Sequence, residues 1–98
     1  MPSKYVSSDG ERREARRVGR VLKIIGQIAA DPGRWSRGDL AEYYGVSERM
    51  ITKDLHLIRT AIGLPLSYHP EGGGYYFVTE PPAALLAISR AAGGKEIS

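Results

Sequence analysis

The sequence predicts a mainly α-helical domain with one small β-hairpin and an additional C-terminal helix. Three observations support this fold class. Apolar residues recur at helical spacing within residues 11–62, the pattern becomes extended after Pro65, and Pro81 and Pro82 precede another helical segment. A chain of 98 residues corresponds to about one domain with a small core.

The composition indicates a soluble globular protein, because 42% of the residues are hydrophobic and 26% are charged. Cysteine is absent, which excludes a disulfide framework, a thiol nucleophile and a cysteine zinc site. No apolar run approaches the roughly 20 residues that span a bilayer. We therefore expect a cytoplasmic protein with no membrane partner.

Residues 1–10 show no periodicity and are expected to form a flexible arm. A helix is predicted from about Glu11 until Asp31-Pro32-Gly33 ends it. Its apolar stripe consists of Val18, Val21, Leu22, Ile25, Ile28 and Ala29. The opposite face carries Arg12, Arg16, Arg20 and Lys23. The simpler interpretation is that these side chains are solvated, and the alternative is that they lie near phosphates.

Positive charge is concentrated near the N-terminus. The net charge is only +3, but residues 1–23 contain seven Lys and Arg against three Asp and Glu. The flat guanidinium of arginine suits phosphates and guanine edges. Charge alone does not separate nucleic-acid binding from an ordinary solvated helix face.

The second helix is predicted to begin at Ser36, which forms a capping box with Asp39. Its short inward face is Leu40, Ala41 and Tyr44, and Gly45 is suited to the left-handed conformation that ends a helix. Val46 is expected to fill the angle between two helices.

The third helix, about residues 47–62, is predicted to begin at the capping residue Ser47 and to end at Gly63 and Pro65. Its buried side is expected to carry Ile51, Leu55, Ile58 and Ile62. Two short amphipathic helices joined by a glycine-containing turn indicate a helix-turn-helix. The alternative is two capped helices in series with no such role.

If that side is buried, the N-terminal half of the third helix presents its polar side chains to a DNA major groove. Arg49 could bridge guanine O6 and N7, Thr52 could meet a thymine methyl, and Glu48 could accept from cytosine N4. Predicted phosphate contacts are Ser36, Arg37, Ser47, Lys53 and His56.

Residues 66–78 contain two apolar and aromatic runs around a glycine-rich break, which predicts a β-hairpin. Because two strands alone are barely stable, the hairpin must pack on the helices, and the whole becomes a winged helix-turn-helix. The predicted wing contacts are Tyr68, His69, Gly72 and Gly73. The glycines of the tip either contact DNA or only permit the turn, and the sequence does not favour one of these. For the tyrosines of the second strand, packing is favoured.

Residues 20–78 resemble the N-terminal winged helix of DeoR-like and WYL-domain bacterial transcription regulators. The resemblance rests on "LAEYYGVS", on "GVSERMITKDLHLIR" and on the closing "GGGYYF". It implies that Glu48, Arg49, Thr52 and Lys53 enter DNA and that a ligand-sensing domain lies outside this chain. The family usually has threonine and arginine at the positions of Met50 and Lys53, so Lys53 is better suited to phosphate than to a base.

Residues 80–98 are predicted to form a C-terminal helix, with Leu85, Leu86, Ile88 and Ala92 as its apolar positions. This helix could fold back on the core, pair with a second copy in a dimer, or lead into another domain. We rank dimerisation or a linker above the core. The predicted organisation is therefore an arm (1–10), a DNA-binding domain (11–79) and this segment (80–98).

The sequence predicts no catalytic residues, cofactor or metal site. His56 and His69 are too far apart for convincing ligand spacing, and no nucleotide-binding or nucleophile motif is present. The predicted function is sequence-specific binding of double-stranded DNA by a homodimer. A protein-interaction winged helix is the alternative, and RNA binding is a lesser option because an aromatic sheet platform is lacking.

Overall fold

A computed structural model of the chain describes residues 2–94, with side chains described for residue 10 and for residues 12–92. The elements in chain order are α1 (Pro2–Ala30), α2 (Arg37–Tyr44), α3 (Glu48–Leu57), a π-helical turn (Ile58–Ile62), β1 (Leu66–His69), β2 (Gly74–Phe77) and α4 (Ala83–Gly94). The predicted fold class is confirmed. The described chain is mostly helical, with one antiparallel hairpin arranged as the wing of a winged helix-turn-helix.

The core lies where α1, α2, α3 and the start of the hairpin meet. Its buried apolar side chains are Val21, Ile24, Ile25, Ile28, Leu40, Ala41, Ile51, Leu55, Ile58, Leu64 and Leu66. Each large aliphatic side chain buried in this way contributes about 1.5 to 3 kcal/mol. Burial of these side chains, which recur at helical spacing on α1 and α3, therefore holds the three helices together.

Two expectations for the first helix were wrong. The helix begins at Pro2 rather than at about Glu11. Proline is tolerated in the first helical turn, because the N–H groups there make no hydrogen bond within the helix. Val18, assigned to the apolar stripe, is 53% exposed, whereas Ile24, which the stripe omitted, is fully buried. The core therefore stops at Val21, and the helix continues beyond it toward the N-terminus.

The break between α2 and α3 forms as predicted. Gly45 adopts the left-handed conformation with φ 67°, and the Val46 N–H donates to the Ala41 carbonyl at 3.0 Å. Val46 is partly buried against the core. The chain thus turns sharply, and α3 is held at an angle to α2 instead of extending it.

The end of the third helix differs from the prediction. Residues Ile58–Ile62 form a π-helical turn, in which the Gly63 N–H donates to the Ile58 carbonyl at 3.0 Å. Ile62, predicted to be buried, is 39% exposed. The wider turn changes the direction of the chain, and Leu64 fills the core in its place.

The hairpin is joined to the connection between α1 and α2. Leu66 pairs with Phe77 and Tyr68 with Tyr75 across the two strands. The Gly33 N–H donates to the Tyr75 carbonyl, and the Tyr75 N–H donates to the Trp35 carbonyl, both at 2.8 Å. The backbone of residues 33–35 therefore lies along the outer edge of β2 and holds the wing against the helices.

The C-terminal helix folds back onto α1, in contrast to the ranking made from sequence. Ser89 is buried, and its hydroxyl donates to the Leu22 carbonyl at 2.6 Å. Gly26 provides the necessary space, because a Cβ at that position would overlap the Ser89 hydroxyl. Leu85 and Leu86 pack against the core, whereas Ile88 is 53% exposed.

Candidate nucleic-acid interface

The third helix has a buried ridge on one side and a polar surface on the other. Ile51 and Leu55 face the core. The exposed residues on the outer surface are Glu48, Arg49, Met50, Thr52, Lys53 and His56. The predicted base-reading and phosphate-binding side chains of α3 thus all lie on its solvent-exposed side.

A buried ion pair holds this helix on α1. Asp54 is completely buried. The Arg20 guanidinium donates two hydrogen bonds to its carboxylate, from Nε to Oδ2 at 2.5 Å and from Nη2 to Oδ1 at 3.2 Å. Arg17 Nε lies 3.6 Å from Oδ1. The sequence suggested that Arg20 is either solvated or near a phosphate. Both expectations are wrong, because its guanidinium is bound to Asp54. Its two-point contact restricts rotation and sliding of α3 on α1.

A second ion pair joins the start of α2 to the start of α3. Arg37 Nε lies 3.2 Å from Glu48 Oε1, and both side chains are largely exposed. Arg37 was predicted to bind phosphate and Glu48 to read cytosine, so two predicted DNA contacts are paired with each other. An exposed pair of this kind contributes only about 0 to 1 kcal/mol, and a DNA ligand can displace it.

The helix N-termini are formed as predicted. The Ser36 hydroxyl accepts from the Asp39 N–H at 3.0 Å, and the Asp39 carboxylate accepts from the Ser36 N–H at 3.2 Å. The Ser47 hydroxyl accepts from the Met50 N–H at 3.1 Å. The remaining amides of both first turns, with the positive end of each helix dipole, suit phosphate oxygens.

Thr52 has its hydroxyl engaged within the helix, donating to the Glu48 carbonyl at 2.9 Å. Because its proton is used, the hydroxyl can only accept a hydrogen bond from outside the helix. The methyl remains available for contact with a thymine methyl.

The wing lies beside the N-termini of α2 and α3. A shallow depression is lined by Ser36, Arg37, Gly38, Glu48, Tyr68 and Tyr75. Tyr68 is 47% exposed. Its ring packs edge-on against that of Tyr75, with the two ring centroids 5.0 Å apart. Four predicted site residues from three elements, Ser36, Arg37, Glu48 and Tyr68, thus share one concave surface.

The tip of the wing is held by His69. Its Nδ1 accepts from the Gly72 N–H at 3.1 Å, and its carbonyl accepts from the Gly73 N–H at 2.7 Å. Gly73 has φ 75°, a conformation that favours glycine. Gly74 is required for another reason, because a Cβ there would overlap the Gly33 carbonyl. Turn geometry and packing therefore account for the glycines at positions 73 and 74.

Lys53 lies away from the depression beside the wing. It lines a groove between α3 and the N-terminal half of α1, together with Arg13, Arg16 and Arg17. His56 is exposed farther along α3. The candidate interface thus has two flanks, one beside the wing and one beside α1.

Sequence reasoning missed the role of Asp54 and its two arginines. The signal was present, because Asp54 falls between Ile51 and Leu55 at the spacing of the buried ridge. A carboxylate on an apolar face requires a cation nearby. Which cation supplies the charge depends on how α1 crosses α3, and helical spacing does not define that crossing.

The two capped helices, the turn between them and the hairpin define a winged helix-turn-helix domain. A family model described as an HTH domain matches residues 20–76. This is more than half of the chain, and the protein belongs to this helix-turn-helix domain family. Neither curated proteins nor solved structures include a match to the chain.

Membership of this family indicates DNA binding and a role in transcription regulation. Within residues 2–94, no helix is both long enough and apolar enough to cross a membrane.

Proposed function

We propose that this protein is a sequence-specific double-stranded DNA-binding transcription regulator. The observation that carries the proposal is the outward polar surface of α3, held in place by a fully buried ridge and by Asp54. The N-terminal half of α3 enters the major groove, where Glu48, Arg49 and Thr52 read bases. Around them, the phosphate contacts are Ser36, Arg37, Ser47, Lys53 and His56, and the wing contributes Tyr68, His69, Gly72 and Gly73.

We further propose that the protein is a regulator of the DeoR-like or WYL-domain type that binds DNA as a homodimer. Two copies would occupy half-sites about 34 to 36 Å apart. The exposed Ile88 on α4 offers an apolar position for pairing. Under this proposal, a ligand-sensing domain outside these residues controls binding in the cytoplasm, and the DNA-binding unit itself carries out no catalysis.

Selection of bound sequences from a random duplex pool, at one stated salt concentration, is the direct test of sequence-specific binding. An enriched site is the expected result, and palindromy in that site would reveal the dimer. A pool that remains random after selection would refute sequence-specific recognition.

The Arg49→Ala variant is expected to lose preference at one base pair of the selected site, at a cost of about 1 to 3 kcal/mol. Truncation removes the side chain best suited to a guanine edge, while its exposed position leaves the fold intact. Binding titrations against the selected duplex and its single-base variants measure the effect. Arg90→Ala, which removes an exposed arginine of α4 outside the proposed interface, is the matched control. Equal discrimination by Arg49→Ala and Arg90→Ala would contradict base reading by Arg49.

The Lys53→Ala variant is expected to weaken binding to all duplexes alike. Loss of one phosphate contact should reduce the slope of log K against log salt by about one unit. Titrations of the selected duplex and an unrelated duplex at several salt concentrations measure both quantities. An unchanged slope, or a loss confined to the selected sequence, would argue against a phosphate contact.

Exposed apolar side chains favour a second candidate function, a winged helix that binds another protein. Met50 on the outer surface of α3 is 45% exposed, and Ile88 is 53% exposed. This alternative requires negligible affinity for DNA even at low salt. A stable gel shift with duplex DNA under those conditions would eliminate it.

A further inference from the structure

The face of α1 that packs against α3 continues beyond the core as a row of arginines. Arg13, Arg16, Arg17 and Arg20 have the spacing i, i+3, i+4 and i+7, which places them along one side of the helix. At 1.5 Å per residue, the row from Arg20 to Arg13 extends about 10 Å along the axis. We call these four residues the arginine row.

The two ends of the arginine row have different environments. At the inner end, Arg20 is bound to the buried Asp54, and Arg17 approaches the same carboxylate at 3.6 Å. At the outer end, Arg13 and Arg16 are exposed, and no carboxylate among the described side chains pairs with either. The inner pair fixes this face of α1 against α3, which places the outer arginines along the groove that Lys53 also lines.

The outer arginines and Lys53 line the same groove. Met50 of α3 and Tyr44 at the corner of the helix-turn-helix also contribute to it. Among the described lining residues, the basic ones are Arg13, Arg16, Arg17, Arg20, Lys23 and Lys53, and the acidic ones are Glu14 and Asp54. Because Asp54 is already paired with Arg20, the open part of the groove, where Arg13, Arg16 and Lys53 face only Glu14, has a net positive charge.

We propose that the outer end of the arginine row, Arg13 and Arg16, together with Lys53, binds the sugar-phosphate backbone of duplex DNA adjacent to the base pairs that α3 reads. The inference rests on the proposed function and adds a second phosphate-binding flank, opposite the wing. Arg13 and Arg16 are one helical turn apart, about 4.5 Å along the axis, so their side chains can reach neighbouring phosphates of one strand. Flexible guanidinium groups at this spacing can each approach a phosphate oxygen.

A polyanion fits this groove better than a second copy of the chain does. In a twofold interface, the same patch of each copy faces the other, which would place the arginine row near its own symmetry mate. Several unpaired cations would then repel one another. A DNA strand supplies a regular series of negative charges instead, and its elongated shape matches an open groove between two helices.

The test is the double variant Arg13→Ala/Arg16→Ala, which leaves the Arg17 and Arg20 contacts with Asp54 intact. Duplex affinity is measured by titration at several salt concentrations, with the selected site and an unrelated sequence. We expect the slope of log K against log salt to fall by about two units, with affinity lowered roughly tenfold near 0.15 M salt on both sequences. Base preference should be unchanged, because phosphates carry no sequence information.

Arg90→Ala serves as the control for loss of an exposed arginine on another helix, and the thermal unfolding midpoint shows whether the variants are folded. If the parent binds duplex DNA and the double variant keeps its slope and affinity, the arginine row is not a DNA contact, although the proposed function stands. If the parent binds no duplex at low salt, both the proposed function and this inference are wrong. A loss confined to the selected sequence would also overturn the inference, because it would indicate base reading.

Discussion

Replacing Asp54 by alanine is expected to destabilise the domain by about 3 to 5 kcal/mol. Asp54 is completely buried, and only 13% of the Arg20 side chain is exposed. Removing one member of such a pair leaves the other charge poorly solvated and without its hydrogen bonds. This loss is a large part of the 5 to 15 kcal/mol that typically separates folded and unfolded states.

Urea unfolding followed by circular dichroism measures the change. Arg37→Ala is the control, because it breaks the exposed pair with Glu48 and should cost about 1 kcal/mol or less. The double variant Arg20→Met/Asp54→Leu removes both buried charges and should recover much of the lost stability. A cost for Asp54→Ala no larger than that for Arg37→Ala would refute the structural role of the buried pair.

Replacing Gly74 by alanine is expected to cost about 1 to 3 kcal/mol through steric overlap. The added Cβ would overlap the Gly33 carbonyl and lie 2.8 Å from the Arg34 nitrogen. Both are backbone atoms, so the clash can be relieved only by moving the wing away from the connection between α1 and α2. The two hydrogen bonds between Tyr75 and residues 33 and 35 would then be strained or lost.

Gly72→Ala is the matched control for this prediction. Its Cβ would meet the Gly33 carbonyl at 3.4 Å, an ordinary contact, and Gly72 does not have a positive φ. We expect a change within about 0.5 kcal/mol. The same unfolding experiment compares the two variants, and equal stabilities would disprove the requirement for glycine at position 74.

Much of the fold was predictable because local signals agree with one another. The capping residues Ser36 and Ser47, with Gly45 between the helices, define where α2 ends and α3 begins. The two apolar and aromatic runs around a glycine-rich break likewise predict the hairpin, whose strands end at that break. These features depend on residues close together in sequence.

The errors arose where distant contacts decide the outcome. Val18 has the spacing of a core residue, but α1 extends beyond the body of the domain at that point. Ile62 follows the helical pattern, but the π-helical turn displaces it. The ion pair between Arg20 and Asp54 joins residues 34 positions apart, a distance over which helical periodicity carries no information.

The same limit applies to the candidate interface. Exposure of Arg49, Thr52 and Lys53 followed from the buried spacing of Ile51 and Leu55. The pairing of Arg37 with Glu48 does not follow from this spacing, because it depends on the angle between two helices.

The hydrogen bonds between Tyr75 and residues 33 and 35 have a further consequence for evolution of the wing. Trp35 immediately precedes Ser36, so the outer edge of the hairpin and the first turn of α2 are joined through a single residue. Insertions between Pro70 and Gly73 would lengthen the reach of the hairpin without disturbing that junction. Deletions that shift the register of β2 would displace the cap of α2 as well. Changes in the length of the hairpin should therefore be tolerated at its far end and not at its base.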